Sequence, residues 1–512
     1  MNDDPQANGS FRIVAIGASA GGLEAISELL AALPADTGMA FLIVQHLDPH
    51  HGSMLSEILA KRTRMPVDEA FDGQKVEPNH VYIIAPNTSM TVAKRCLTLR
   101  PRAEGRHPPM PIDILFESLA KDAGPDAIGV ILSGTGSDGA LGMQAIKAGG
   151  GHTFVQDEAT ARFNSMARAA LEIDAADLQL PPREIAHALA RIGRHNASEK
   201  PAPAAPDADA PADGDESLRQ IFRLLRSACQ VDFSHYKRGT IDRRLERRMV
   251  MRQLGTVQEY LEQLRTDPVE VQALCRDFLI NVTSFFRDPH SYDDLARVVW
   301  PHLTEGRTPK MPLRIWVPGC ATGEEVYSLA ISLLEHLGER AAGMRIQIFG
   351  TDVSEAAIDV ARAAQYIENI ARDVSPERLQ RYFIKLNAHY QVSRQVRELC
   401  LFSRHDVTRD PPFSRLALLS CRNLMIYLGA QAQKRLLPIF HYALKPGGYL
   451  TLGPAESLGA ASELFQVLDG VKSKIYLRRP TPVRLPMEPP ERPRARTDPR
   501  APEPPDEAPE PN

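Results

Sequence analysis

A serine, a histidine and an aspartate stand at three separated points in the first 140 residues of this 512-residue chain, each a few residues past a short apolar run. Ser19 lies in Gly17-Ala18-Ser19-Ala20-Gly21-Gly22, His46 in Gln45-His46, and Asp138 in Ser137-Asp138-Gly139. A hydroxyl nucleophile, an imidazole base and a carboxylate that orients the base are the parts of an acyl-bond hydrolase. Each also has a plain alternative. A Gly-rich turn can cradle a nucleotide, a lone histidine is often structural, and an aspartate before a glycine is often only a turn; it is their joint placement that favours the hydrolase. Further on, Gly319-Cys320-Ala321-Thr322-Gly323-Glu324-Glu325 follows the apolar run 313–317, and Gly350-Thr351-Asp352 follows the run 346–349. A Gly-rich turn after one strand and an acidic residue after the next form a nucleotide-cofactor arrangement, in which Asp352 can accept from both ribose hydroxyls. The G-x-G-x-x-G spacing of nicotinamide enzymes is missing, which favours S-adenosylmethionine and therefore methyl transfer.

These groups need elements to hold them. Residues 11–192 alternate β-branched runs with amphipathic stretches, the rhythm of a doubly wound parallel sheet whose ligand site lies beyond the carboxyl ends of its strands. Residues 216–282 read as helices only, and 313–477 again alternate strands and helices. The expected class is α/β: a parallel-sheet domain at 11–195, a linker at 196–216, a small all-helical domain at 217–285 and a Rossmann-like domain at 286–478. The linker is rich in Ala, Pro and Asp and the tail 479–512 in Pro, Arg and Glu, compositions that predict disorder. A length of 512 residues exceeds one core, and a net charge of -4 gives no bulk attraction to nucleic acid or membrane. Six cysteines without a C-x-x-C pair predict free thiols and no metal site. With no signal pattern and no apolar run long enough to span a bilayer, a cytoplasmic protein is expected. In the helical part, Ile241, Leu245 and Met249 fall one turn apart, leaving Lys237, Arg238, Arg243, Arg244, Arg247 and Arg248 as a basic face that is either solvated or a dock for an acidic partner.

The motifs IVAIGASAGGLEAI, IVQHLDP, VYIIAP, DILFESLAKDAG and GVILSGTGSDGALGM resemble the catalytic domain of the chemotaxis protein-glutamate methylesterases (CheB family). The resemblance implies Ser19 as nucleophile, His46 as general base and Asp138 as its orienting partner, acting on glutamate methyl esters or glutamine side chains. Backbone N–H groups near Ala20 and Thr135 would hold the oxyanion; many members carry Thr and Met at these two positions. About ten residues precede the first strand, so the phosphorylated receiver domain usual in that family is expected to be absent.

From residue 218 to 477 the chain resembles the chemotaxis receptor glutamate O-methyltransferases (CheR family), through NVTSFFRD, GCATGEEVYSLAI, FGTDVSEAAI, LSCRNLMIYL and LKPGGYLTLGPAESL. This implies that Asn281, Thr283, Arg287, Glu325, Asp352, Asp406, Val407, Arg422 and Asn423 line an S-adenosylmethionine site, with Tyr427 beside the incoming carboxylate. Asp406 stands where the family often has Asn. Residues 384–392 lack the Gly-rich turn of members that tether to a receptor's C-terminal peptide. The expected partners are methyl-accepting chemoreceptors or related coiled coils, with neither nucleic acid nor membrane insertion. Two other readings stay open: a signalling scaffold in which one half binds its ligand without turnover, and an N-methyltransferase using Asp410-Pro411-Pro412-Phe413, although this box precedes the apolar run 416–419 where such enzymes place it after a strand.

Overall fold

The computed structural model describes residues 11–46, 54–102, 110–198, 216–307 and 311–481. The expected disorder of the linker and the tail falls almost wholly outside them. In the first sheet seven strands run parallel in the order Val67–Glu69, Val81–Ile83, Ala40–Gln45, Ile13–Ala18, Ala127–Ile131, His152–Gln156, Leu178–Leu180. The central three are buried along almost their whole length because helices cover both faces, which is why they read as continuous apolar runs. Strand order reverses around Ile13–Ala18, whose neighbours are the second strand in one direction and Ala127–Ile131 in the other. Such a switch point opens a crevice at the carboxyl ends.

Four helices follow, Glu216–Cys229, Arg238–Arg252, Val257–Thr266 and Pro268–Phe278. Leu218, Ile221, Phe222 and Leu225 recur at helical spacing and are all buried. Thr256 and Glu259 form a reciprocal capping box, and Asp267 caps the helix that Pro268 starts.

The second large sheet has the order Cys400–Arg404, Ile346–Asp352, Leu313–Pro318, Leu416–Cys421, Leu444–Leu452, Ile475–Arg478, Phe465–Val467. Its first five strands are parallel and its last two antiparallel. A separate antiparallel sheet, Gln365–Ile367, His389–Val392 and Phe383–Leu386, projects toward the first domain; the sequence motifs gave no sign of it. The α/β class with an intervening helical domain is therefore present as expected.

The basic helix corrects an expectation. Arg244, Arg247 and Arg248 are 3%, 2% and 8% exposed, so they are not a face for an acidic partner. Arg244 donates to the carbonyls of Lys147 (2.5 Å) and Ala148, and Arg247 to that of Gly151 (2.8 Å), all in the first domain. Arg247 also pairs with Asp177 and Asp277, and Arg248 grips Glu270 at 2.8 and 2.5 Å. Helical spacing separates one face from another but does not see carboxylates that lie far away in sequence. Here those carboxylates turn a charged face into the seam between the two halves.

Two candidate active sites

The first site sits at the switch point of the first sheet. Register pairs Gly17 with Val44 and Ala18 with Gln45, so Ser19 and His46 emerge side by side from adjacent strands. The His46 N–H donates to the Ala18 carbonyl (3.1 Å) and the Ser19 N–H to that of Ser133 (3.0 Å), which ties the three loops together. Gly21 turns the chain into the helix Gly22–Ala32 at φ 72°, in the left-handed region that favours glycine. His46 Nε2 lies 2.8 Å from Asp138 Oδ2. Asp138, 2% exposed, accepts further bonds from the N–H groups of Ile112 (3.0 Å) and Asp113 (2.9 Å) at the start of the helix Pro111–Ala123. A helix N-terminus and a histidine together hold this side chain in place. Ser19 Oγ makes no hydrogen bond to His46; such bonds commonly tighten only when substrate is held. Thr135 lines the same cavity as His46 and Asp138.

The second site lies beyond the carboxyl ends of Leu313–Pro318, Ile346–Asp352 and Leu416–Cys421. Asn281, Thr283, Arg287, Glu325, Asp352, Asp406, Val407, Arg422, Asn423 and Tyr427 all line one cavity. Gly323, at φ 94°, starts the helix Glu324–Leu337, which carries Glu325 inward. Asp352 accepts from the N–H groups of Ala321 and Ser354, each at 2.9 Å, and burial raises its carboxyl above the usual range. Glu325 accepts from Ser420 Oγ at 2.5 Å; burial raises it, while Arg422 and Ser420 pull it down. Both carboxylates keep oxygen lone pairs for a ligand that carries hydroxyls and an ammonium. Arg422 spends Nη2 on the Arg287 carbonyl (2.5 Å) and on Asp288 (2.9 Å), so it clamps the turn that presents Arg287. Asp406 accepts from both the N–H and the hydroxyl of Thr408, at 2.9 and 2.6 Å, which organises its own loop. The helical domain roofs the cavity: the Lys237 N–H donates to the Tyr427 carbonyl at 2.9 Å and the Gly429 N–H to that of His235 at 2.8 Å. Asp410-Pro411-Pro412-Phe413 precedes the strand Leu416–Cys421, and Phe413 stacks on Phe349, both half-buried against the core.

Several participants escaped the sequence reading. Glu456, 3% exposed, accepts from the N–H groups of Asn423 (3.0 Å), Met425 (2.8 Å) and Gly453 (2.7 Å), and so fixes the loop that carries Asn423. Its place in GPAESL was visible, but its acceptor role was not. Asp113, inside the DILFESL motif, proves to be a fully buried carboxyl against Asp138, pushed up to about 8 by burial and by that neighbour's charge.

Family models match in the order of this architecture. CheB methylesterase covers residues 14–189, the all-alpha domain of CheR methyltransferase 216–279, and the SAM binding domain of CheR methyltransferase 281–473. Chemotaxis protein methyltransferase 1 of Pseudomonas aeruginosa is 30% identical over 274 residues, 52% of this chain and 98% of that one. The chain belongs to the chemotaxis protein methyltransferase family, with a CheB-type methylesterase unit joined to it in a CheB/CheR fusion. A protein-glutamate methylesterase/protein-glutamine glutaminase of Photorhabdus laumondii is 40% identical over 173 residues, 33% of this chain and 49% of that one. Both halves are matched together by the "Uncharacterized 104.1 kDa protein in hypE 3'region" of Rhodobacter capsulatus, 38% identical over 431 residues, 81% of this chain. The chain spans 45% of that protein's length, and about half that of the methylesterase relative. The cavity of the second site lies in the S-adenosylmethionine-binding domain. Among the described residues no helix is long and apolar enough to cross a membrane.

Proposed function

We propose that this protein both writes and erases methyl esters on glutamates of chemoreceptor-type signalling helices in the cytoplasm, one activity in each half. The observation that carries the reading is that one chain holds a buried Asp138 bonded to His46 beside Ser19 and, separately, a cavity lined by ten residues of cofactor-site chemistry.

In the transferase half, S-adenosylmethionine supplies the electrophilic methyl group when bound. Asp352 is assigned to the ribose and Glu325 to the methionyl ammonium. Arg287 and Tyr427 orient the substrate carboxylate; burial keeps the Tyr427 phenol protonated, so it donates. A glutamate carboxylate is already ionised at neutral pH, so positioning supplies most of the effect. In the esterase half, Ser19 Oγ attacks the ester carbonyl as His46 takes its proton, the C–O bond to methoxide breaks, and methanol leaves with that proton. Water then cleaves the acyl-serine by the same route in reverse, and Asp138 holds the imidazole throughout. Backbone N–H groups near Ala20 and Thr135 are assigned to the oxyanion.

The test is to incubate the protein with a methyl-labelled donor and a receptor signalling domain. Label should enter base-labile glutamyl esters and, after removal of the donor, return as methanol. Binding of donor and receptor without either event would favour the scaffold reading.

A further inference from the structure

The esterase carboxylate is held in part by the other half of the molecule. Asn369, in the 3-10 turn Glu368–Arg372 beside the small antiparallel sheet, is fully buried. Its Nδ2 donates to Asp113 Oδ2 at 2.7 Å and to the Ser137 carbonyl at 3.0 Å, across 256 and 232 residues of sequence. The Ser137 carbonyl can only accept, so the amide presents its nitrogen on that side, and its Oδ1 has no partner. These two contacts bracket Asp138: Ser137 precedes it in the chain, and the Asp113 N–H donates to its Oδ1. Asp113 Oδ1 in turn accepts from the Gly142 N–H at 2.7 Å, in the helix that follows Asp138. The transferase half also faces the open side of this site. Arg372, Lys385 and Tyr390 line the cavity that contains His46 and Asp138. The seam is locked there by Arg372 on Glu117 (2.5 Å) and by His389 on Glu172 (2.7 Å).

We propose that the transferase half completes the methylesterase site, with Asn369 as a positioning residue for the Asp138–His46 pair. This rests on the reading of Ser19, His46 and Asp138 as an ester hydrolase. Two buried carboxyls held side by side need donors for every ionised oxygen, or one must take up a proton or swing away. Asp113 already stands near that edge, its carboxyl raised to about 8. Without the Asn369 amide, Asp113 Oδ2 loses its donor. Any movement of Asp113 draws the Ile112 and Asp113 N–H groups off Asp138, and the imidazole loses its fixed orientation.

The experiment measures methanol release and methyl transfer on the same preparations of wild type, Asn369→Ala and Asn369→Asp. Asn369→Ala should lower kcat for ester hydrolysis on the order of 10-fold, up to about 100-fold, with KM nearly unchanged, since small misplacements of reacting groups cost that much. Methyl transfer should stay within about twofold, which also reports that the variants fold. Asn369→Asp can donate only when its own acid is protonated, so its rate relative to wild type should rise as pH falls, unlike that of Asn369→Ala. A kcat within twofold of wild type for both variants, or the same pH dependence in both, overturns the inference while leaving the esterase reading intact. Absence of methanol release from wild type overturns both.

Discussion

The two sites are built on similar sheets, yet they are enclosed differently. The transferase cavity is walled by the helical domain and the second sheet, which are consecutive in sequence; among the described residues the esterase half makes one hydrogen bond to its lining, from Gln144 Nε2 to the Asn281 carbonyl at 3.3 Å, and otherwise faces Val282 and Thr283 across a neighbouring cavity. The esterase site lies on the seam itself. Its carboxylate loop receives Asn369, and its open face meets Arg372, Lys385 and Tyr390. The lesson is an asymmetry: a domain can donate structure to its neighbour's site while its own remains nearly self-contained.

The largest effect that probes this comparison is chemical. Ser19→Ala should lower methanol release by about 10⁴-fold or more, as loss of a triad nucleophile does, with methyl transfer unchanged. A drop of only a few fold would remove Ser19 from the reaction.

Next comes the seam. Arg247 is buried between Asp177 and Asp277, and deleting one partner of a buried ion pair costs about 3–5 kcal/mol, so Arg247→Ala should lower the denaturation midpoint clearly. The pH dependence has a definite sign. Burial alone would raise the Asp177 carboxyl, but the charges of Arg247 and Lys147 outweigh it and hold it below the usual range. Its stabilisation is therefore full above the ordinary carboxylate range and is lost as pH falls through the depressed folded value. In Arg247→Ala the buried Asp177 keeps only Lys147 as a cation and should titrate higher, so stability near pH 5 gains relative to pH 7. Thermal melts of both proteins across this range check it; parallel curves would show that the ion pair does not govern the seam.

A smaller effect concerns the self-contained cavity. Asp352→Ala should weaken S-adenosylmethionine about 10- to 100-fold, the worth of one or two hydrogen bonds to a charged group, without touching ester hydrolysis. Calorimetry showing unchanged affinity would take Asp352 out of the ribose contact.

The sheets were legible because buried parallel strands leave uninterrupted apolar runs, and the cofactor-site residues because each sits at a strand end or in a motif. Ser19, His46 and Asp138 could be proposed together for the same reason. What sequence hid was everything that depends on two distant segments meeting. Arg244 and Arg247 looked like part of a solvated or docking face, since nothing local announces the Lys147 carbonyl or Asp177 as their partners. Asp113 stands in the first turn of its helix, where an acid is unremarkable in sequence; only the fold sets it against Asp138. Asn369 carries no local signal at all, because its role exists only where the two halves touch.

The most direct test of the asymmetry loosens the seam from the transferase side, at Arg372 on the rim of the esterase cavity and at His389 beyond it. In the double variant Arg372→Ala, His389→Ala, which removes the contacts to Glu117 and Glu172, both activities are measured on one preparation. Methanol release should fall several-fold with methyl transfer unchanged. Equal losses in both activities, or no loss in either, would contradict the asymmetry.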